Sequence, residues 1–296
     1  MNLKKTNYMI FANRKLYELD FSPKIFTYEI ERKTNALFLG VIINENLTWK
    51  EHTLAIRAKM SRYVGILYKL KNILPLNARK NIFHSFIQSH LNYCSLIWGL
   101  GAKSNVEPLF IEQKKAVRAL MPGFNTNYYK NGNNPCHTKS FFTEHKIMTV
   151  QSIILHNIIN FMHKYHNYAH YIPTLVSKLI AHNAPKPGVR NEHDQNWVAC
   201  QTTCKFRNAL SFKGPLFYSK YKDAIYKHSI DRNKNKNNAT FTSFISFKKY
   251  AKSFVFSLQT CGNYEEWEGS NMPLYYVPGL QREHRKNIPV MNYREL

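Results

Sequence analysis

At Lys50 the period of the chain changes. Before it, the apolar positions come as short runs of β-favouring residues, YMIFA at 8–12 and FLGVII at 38–43, with a polar, turn-prone stretch between them. After it, Ile56, Met60, Val64 and Leu67 recur at steps of four and three, which places them on one face of a helix. The two periods together predict an α+β chain, mostly α: a small hairpin or sheet made by the two runs, then a series of helices. A sheet that small does not stand alone, so it is expected to pack on the helices.

A second helical pattern comes after Pro75 and runs over residues 77–98. Phe83, Phe86, Ile87, Leu91, Cys94, Ile97 and Trp98 cover an arc broad enough for burial on more than one side. Ser85, Gln88, Ser89, Asn92 and Ser95 form the opposite stripe, small and uncharged. After a turn at 99–104, Asn105 is placed to cap a third helix running through Leu120, with Pro108 in its first turn and Pro122-Gly123 as the stop. Three helices on short connections predict a compact bundle. Downstream, loops are expected at 124–135 and 182–196, an apolar helix over 149–164, and a low-complexity run at 232–238. A last amphipathic helix carries Phe244, Phe247, Tyr250, Ala251, Phe254 and Leu258.

Charge narrows the partner. The 296 residues hold 42 Lys and Arg against 18 Asp and Glu, a formal net charge of +24. Such an excess favours polyanions, either nucleic acid or an anionic membrane. Between Glu51 and Glu107 no acid occurs, while Arg57, Lys59, Arg62, Lys69, Lys71, Arg79, Lys80 and Lys103 do. A solvated helix ordinarily mixes signs to gain i,i+4 pairs; giving them up leaves repulsion unless an anion lies nearby. The expected anion is a phosphate backbone, held by Arg57, Lys59, Arg62, Lys69, Lys71, Arg79 and Lys80. Lys59, Arg62 and Lys69 share one helix face. Such contacts position a strand rather than read its sequence. The plainer alternative is a basic face kept for solubility. No run approaches the length of a membrane span and no signal peptide is visible, so no membrane partner is expected. Five cysteines, an odd count at irregular spacing, suit free thiols in a reducing compartment, nuclear or cytoplasmic.

The remaining constellations are weaker. His156, His163, His166 and His170 would share a face on an unbroken helix, a legitimate metal-ligand spacing. Ile154, Leu155, Ile158, Phe161 and Met162 occupy the other side, so the histidines are read as its solvated polar stripe. Cys200 and Cys204 with His193 lack a second pair in zinc register, apart from the distant Cys136-His137. Asp194 beside His193 accompanies no activated nucleophile in a recognisable motif. Asp occurs only at 20, 194, 223 and 231, and no phosphate-binding Gly loop, HExxH or GxSxG is present. A polymerase needs carboxylates grouped to hold two metal ions; Glu265 and Glu266 are adjacent but have no third partner in view.

Five segments in series nevertheless resemble one family. MNLKKTNYMIF, FLGVIINENLTWKEH, LYKLKNILPL, HLNYCSLIWG and LFIEQKKAVRAL resemble the end of a reverse transcriptase from a jockey-like non-LTR retrotransposon, and HTKSFFTEHKIMTVQSI and SFKGPLFYSKYKDAI resemble the region after it. Lys139-Ser140-Phe141 stands where the family usually shows Pro-Leu-Phe, and Phe217 or Tyr218 where it shows tryptophan. The resemblance implies a palm remnant with a primer-grip-like hairpin at 1–50, a thumb-like three-helix bundle at 51–123, a mostly helical post-thumb region at 124–258 and an irregular tail at 259–296. It implies that Phe38, Leu39 and Gly40 support a template-primer duplex, with Leu47 and Trp49 packed under the corner. Gly40 would let a nucleic-acid backbone approach; a bulge or tight packing in the sheet is the alternative. Lys5 matches a family palm lysine. The metal-binding aspartates of the family lie upstream of Asn2-Leu3-Lys4-Lys5-Thr6, so the fingers and most of the palm would be missing partners. Mg²⁺ is expected only in the full-length enzyme, and the chain alone is expected not to polymerise. The alternatives are a non-enzymatic nucleic-acid-binding protein derived from a mobile element, or a decayed product that folds poorly.

Overall fold

Among the described residues, six short strands precede the first helix: β1 (Asn7–Tyr8), β2 (Lys24–Ile25), β3 (Tyr28–Glu29), β4 (Glu31–Arg32), β5 (Asn35–Phe38) and β6 (Val41–Asn44). The computed structural model describes residues 6–11, 22–121, 138–181, 209–232 and 244–261. Lys5, both expected loops, the low-complexity run after Arg232, the Cys136/His137 and His193/Cys200/Cys204 groups and the tail from 262 lie outside them. The strands form three two-stranded pairs, β1 parallel to β4, β2 antiparallel to β3, and β5 antiparallel to β6. The expected pairing of 8–12 with 38–43 is therefore corrected. The run 38–43 is not one strand: the chain reverses at Leu39-Gly40, and Phe38 pairs with Val41.

The corner between β6 and α1 (Lys50–Leu70) is organised by a buried asparagine. Asn44 accepts from Thr48 N at 2.8 Å and donates to Thr48 Oγ1 at 2.5 Å and Glu51 Oε2 at 2.8 Å. One amide thus holds both the turn and the first turn of the helix. Trp49 packs against the core as expected, from a left-handed backbone with φ 62°. Leu47 is 41% exposed and is not part of that core cluster.

The pattern at 77–98 is a broken helix. α2 (Leu76–Ile82) widens into a π-helical stretch (Phe83–Gln88) and continues as α3 (Ser89–Asn92). The chain then turns at Tyr93 and Cys94, the latter at φ 50°, into α4 (Ser95–Trp98). The break frees the Tyr93 carbonyl, which accepts from Trp98 Nε1 at 2.8 Å. α5 (Lys103–Leu120) begins two residues before Asn105, whose amide donates to Thr48 O at 2.6 Å instead of capping the helix. Pro108 accordingly sits inside α5, past its first turn.

Five helices complete the described chain: α6 (Thr138–Glu144), α7 (Val150–Asn167), α8 (Thr174–Ala181), α9 (Leu210–Arg232) and α10 (Phe244–Cys261), with a 3₁₀ turn at Ala169–Tyr171. The described chain is mostly helical. α7 is its centre, packed by α9, α10, α4, α5 and α3. Gly214 permits one such approach, since a Cβ there would meet Met162 Sδ at 2.7 Å. One apolar cluster runs from Ile56 on α1 to Val255 on α10.

That central position corrects the reading of the histidines. His156 and His163 are 6% and 3% exposed. His156 Nε2 donates to Lys248 O at 3.4 Å, and the Tyr218 hydroxyl donates to His163 Nδ1 across 3.1 Å. His163 also stacks on Phe247 with ring centroids 3.5 Å apart. His170 lies beyond the end of α7, in the 3₁₀ turn. Of these four histidines, His166 and His170 are exposed.

Two buried glutamines hold the entry to α7. From α5, Gln113 Nε2 donates to Met148 O and Gln113 Oε1 accepts from Val150 N, both at 2.9 Å. From α10, Gln259 Nε2 donates to Ile147 O and its Oε1 accepts from Thr149 N, both at 3.0 Å. Four backbone groups with no helical partner are satisfied by two side chains.

Candidate nucleic-acid interface

A two-residue loop with positive φ at both positions is the turn that matches strand twist. Leu39 (φ 46°) and Gly40 (φ 80°) form it at the tip of the β5–β6 hairpin. For Gly40 the requirement is conformational: a Cβ would have ordinary contact with Tyr93, but φ 80° disfavours any side chain. Leu39 bears that strain while its side chain is 75% exposed, beside Phe38 at 62% and Leu37 at 72%. An apolar tip is therefore presented to solvent. Tyr93 latches it, its hydroxyl donating to Leu39 O at 2.6 Å.

Beneath the tip lies a cleft of about 350 Å³, lined by Gly40, His52, Ile56, Lys59, Ser89, His90 and Tyr93. His52 accepts from Ile42 N through Nδ1 at 3.3 Å, which leaves Nε2 as a buried donor with no partner. Burial first, and the Lys59 ammonium second, push His52 and His90 below the ordinary imidazole range. Both rings are thus neutral at pH 7, and the charge in the cleft is that of Lys59.

From this cleft the exposed face of α1 continues through Arg62 to Lys69. No carboxylate pairs with these three among the described residues. Beside them Tyr63 stacks between Phe86 (4.9 Å) and His90 (5.9 Å). Phe86, placed by its spacing on the apolar arc, lies in the π-helical stretch and is 45% exposed.

The other basic residues of the acid-free interval do different work. Arg79 is corrected: it is 6% exposed, and its Nη1 donates to Ala119 O at 3.0 Å and Leu120 O at 3.2 Å, closing the end of α5. Arg57 reaches buried Glu112 at 3.5 Å, which Lys115 also approaches at 2.9 Å. Lys80 Nζ donates to His145 Nδ1 at 2.8 Å. Lys71 has its pKa lowered by partial burial and by nearby Arg79. Of the residues singled out by sequence, Gly40 and Lys59 line the cleft, Leu39 is tied to its wall through Tyr93, Phe38 is exposed at the end of β5, and Arg62 and Lys69 follow Lys59 along α1. Lys5 lies outside the described residues. Tyr93, His90 and His52 lie in the segments HLNYCSLIWG and FLGVIINENLTWKEH, but nothing in the sequence singles them out as site residues; only the tertiary fold joins them to the hairpin.

Among the described residues no three His, Cys, Asp or Glu side chains come together as metal ligands, and no helix is long and apolar enough to cross a membrane. Compared with protein-family models, with curated proteins and with solved structures, the chain matches none.

Proposed function

We propose that this surface holds a nucleic-acid duplex, and that the chain is the thumb-side, C-terminal part of a jockey-like non-LTR reverse transcriptase, without polymerase activity of its own. One observation carries the binding reading: Lys59, Arg62 and Lys69, with no carboxylate partner among the described residues, follow one another along α1 from a cleft under an exposed hairpin tip. Ten residues of helix extend about 15 Å. Laid along a duplex, that length covers about four phosphates of one strand at about 3.4 Å of axis each. The apolar tip and the Tyr63 stack supply contact area that needs no sequence. The assignment to a reverse transcriptase rests on the ordered series of segments that resemble the family. Mg²⁺ would belong to the aspartates of the full-length enzyme. A non-enzymatic binding protein of mobile-element origin would use the same surface.

The test is a filter-binding salt titration on a blunt RNA–DNA duplex. Replacing Lys59, Arg62 and Lys69 together by Gln is expected to reduce the slope of log K against log salt by about 3, since each phosphate contact contributes about 0.9. An unchanged slope would place the duplex elsewhere. Primer extension with Mg²⁺ and dNTPs should give no product; robust incorporation would contradict the claimed inactivity.

A further inference from the structure

The segment from Gln88 to Ser95 has two sides. Ser89, His90 and Tyr93 face the cleft under the hairpin, whereas Gln88, Asn92 and Ser95 line a second cleft of about 570 Å³. That volume lies in the usual range for a small-molecule site, about 300–1,000 Å³. The opposite wall comes from α7 and α10. Lys164, Lys248 and Lys252 line it, and among the described residues no carboxylate does. Lys248 and Lys252 stand at i,i+4 on one helix, a like-charge pair that costs stability unless an anion sits between them. Their charge reaches the cleft's interior: His156, which also lines it, is held down to about 4, chiefly by burial and further by these two lysines.

The rest of the lining is not that of a simple anion hole. Phe161 and Phe244 offer aromatic surface, and the amides of Asn157 and Asn160 lie beside them, their Nδ2 atoms bonded to Ser95 Oγ and to the His156 ring. Asn160 is 7% exposed, and its Oδ1 has no hydrogen-bond partner. Cations, aromatic faces and amides in one concave site are the three elements that recognise phosphate, base plane and base edge respectively.

We propose that this second cleft binds one nucleotide unit, its phosphate on the α7–α10 lysines and its base against the phenylalanines and amides. The unit is either a free nucleotide or an unpaired residue of a strand. Neither the hairpin nor α1 lines the cleft, so the proposal does not depend on the duplex surface.

Calorimetric titration of the full chain with dAMP, with a pentadeoxyadenylate and with inorganic phosphate tests it. Binding of dAMP itself identifies a free nucleotide as sufficient; binding of the pentanucleotide alone identifies a strand. In either case Lys248→Gln/Lys252→Gln should weaken the interaction about tenfold or more, and Phe244→Leu should weaken it severalfold. Lys59→Gln/Arg62→Gln should leave the binding of dAMP unchanged. Both α10 lysines are exposed, so these variants should keep the thermal midpoint of the parent. Lys164→Gln provides a second variant of the same site, expected to weaken binding in the same direction. Three results would overturn the proposal: no binding of dAMP or the pentanucleotide, undiminished binding by the lysine variants, or inorganic phosphate competing as well as dAMP.

Discussion

Lowering the pH from 7 to 5 is expected to remove roughly 4 kcal/mol of folding stability through two histidines alone. His156 and His163 are both lowered to about 4, mainly by burial. In the unfolded chain they return to about 6.5. Folding therefore favours the neutral rings, and their contribution is complete above about 6.5 and lost as the pH falls through about 4. Each pH unit in that window costs about 1.4 kcal/mol per group, hence roughly 2 kcal/mol apiece by pH 5. The physical cause is α7's central position. An imidazolium at 163 would face Phe247 and the Tyr218 hydroxyl, with His166 and Lys222 adding repulsion. Urea unfolding at pH 7 and pH 5 measures the difference. His163→Phe keeps an aromatic ring at that position and removes the titration, so it should cut the pH dependence by about half. Equal pH dependence in both proteins would show that acid acts elsewhere, for instance through general repulsion in a chain of net charge +24.

Gln113→Leu is expected to cost about 2–5 kcal/mol. The substitution keeps bulk in a site that is 0% exposed but leaves Met148 O and Val150 N without partners. Each buried orphan costs about 1–3 kcal/mol. Gln259→Leu removes the matching pair from the other side, at Ile147 O and Thr149 N. Because both glutamines hold one four-residue backbone segment, their effects should couple: once one is lost, the segment can relax and the second loss costs less. Chemical denaturation of the two single variants and the double variant checks this. A Gln113→Leu loss below about 1 kcal/mol, or strict additivity, would mean that the clamp is not what fixes the entry to α7.

The helices were legible where period and composition agree. α1 follows from Ile56, Met60, Val64 and Leu67, all buried as their spacing requires. The helix starting at Thr149 was legible as an element but not as a centre. Its histidines look like a polar stripe because a sequence shows one helix's own two faces, not how many neighbours surround it. α9 carries Gly214-Pro215 inside it, residues that ordinarily interrupt a helical pattern, and a Cβ at 214 would press on the Met162 side chain. The hairpin was misread because Leu39-Gly40 lacks the Asn-Gly or Asp-Gly that usually announces such a turn. Arg79 could not be distinguished from Arg62 by any local signal; the carbonyls that claim it are forty residues downstream. The same limit applies to Tyr93, whose hydroxyl reaches a hairpin 54 residues back.

The central claim is that one face of α1, under the hairpin tip, lies on the duplex. Lysine-reactivity mapping by mass spectrometry tests it residue by residue. With a blunt duplex at low salt, Lys59 and Lys69 should become resistant to acetylation, while Lys248 and Lys252, on the other side of the 88–95 segment, should stay reactive. Protection spread evenly over all surface lysines, or full reactivity of Lys59 in the complex, would contradict the account.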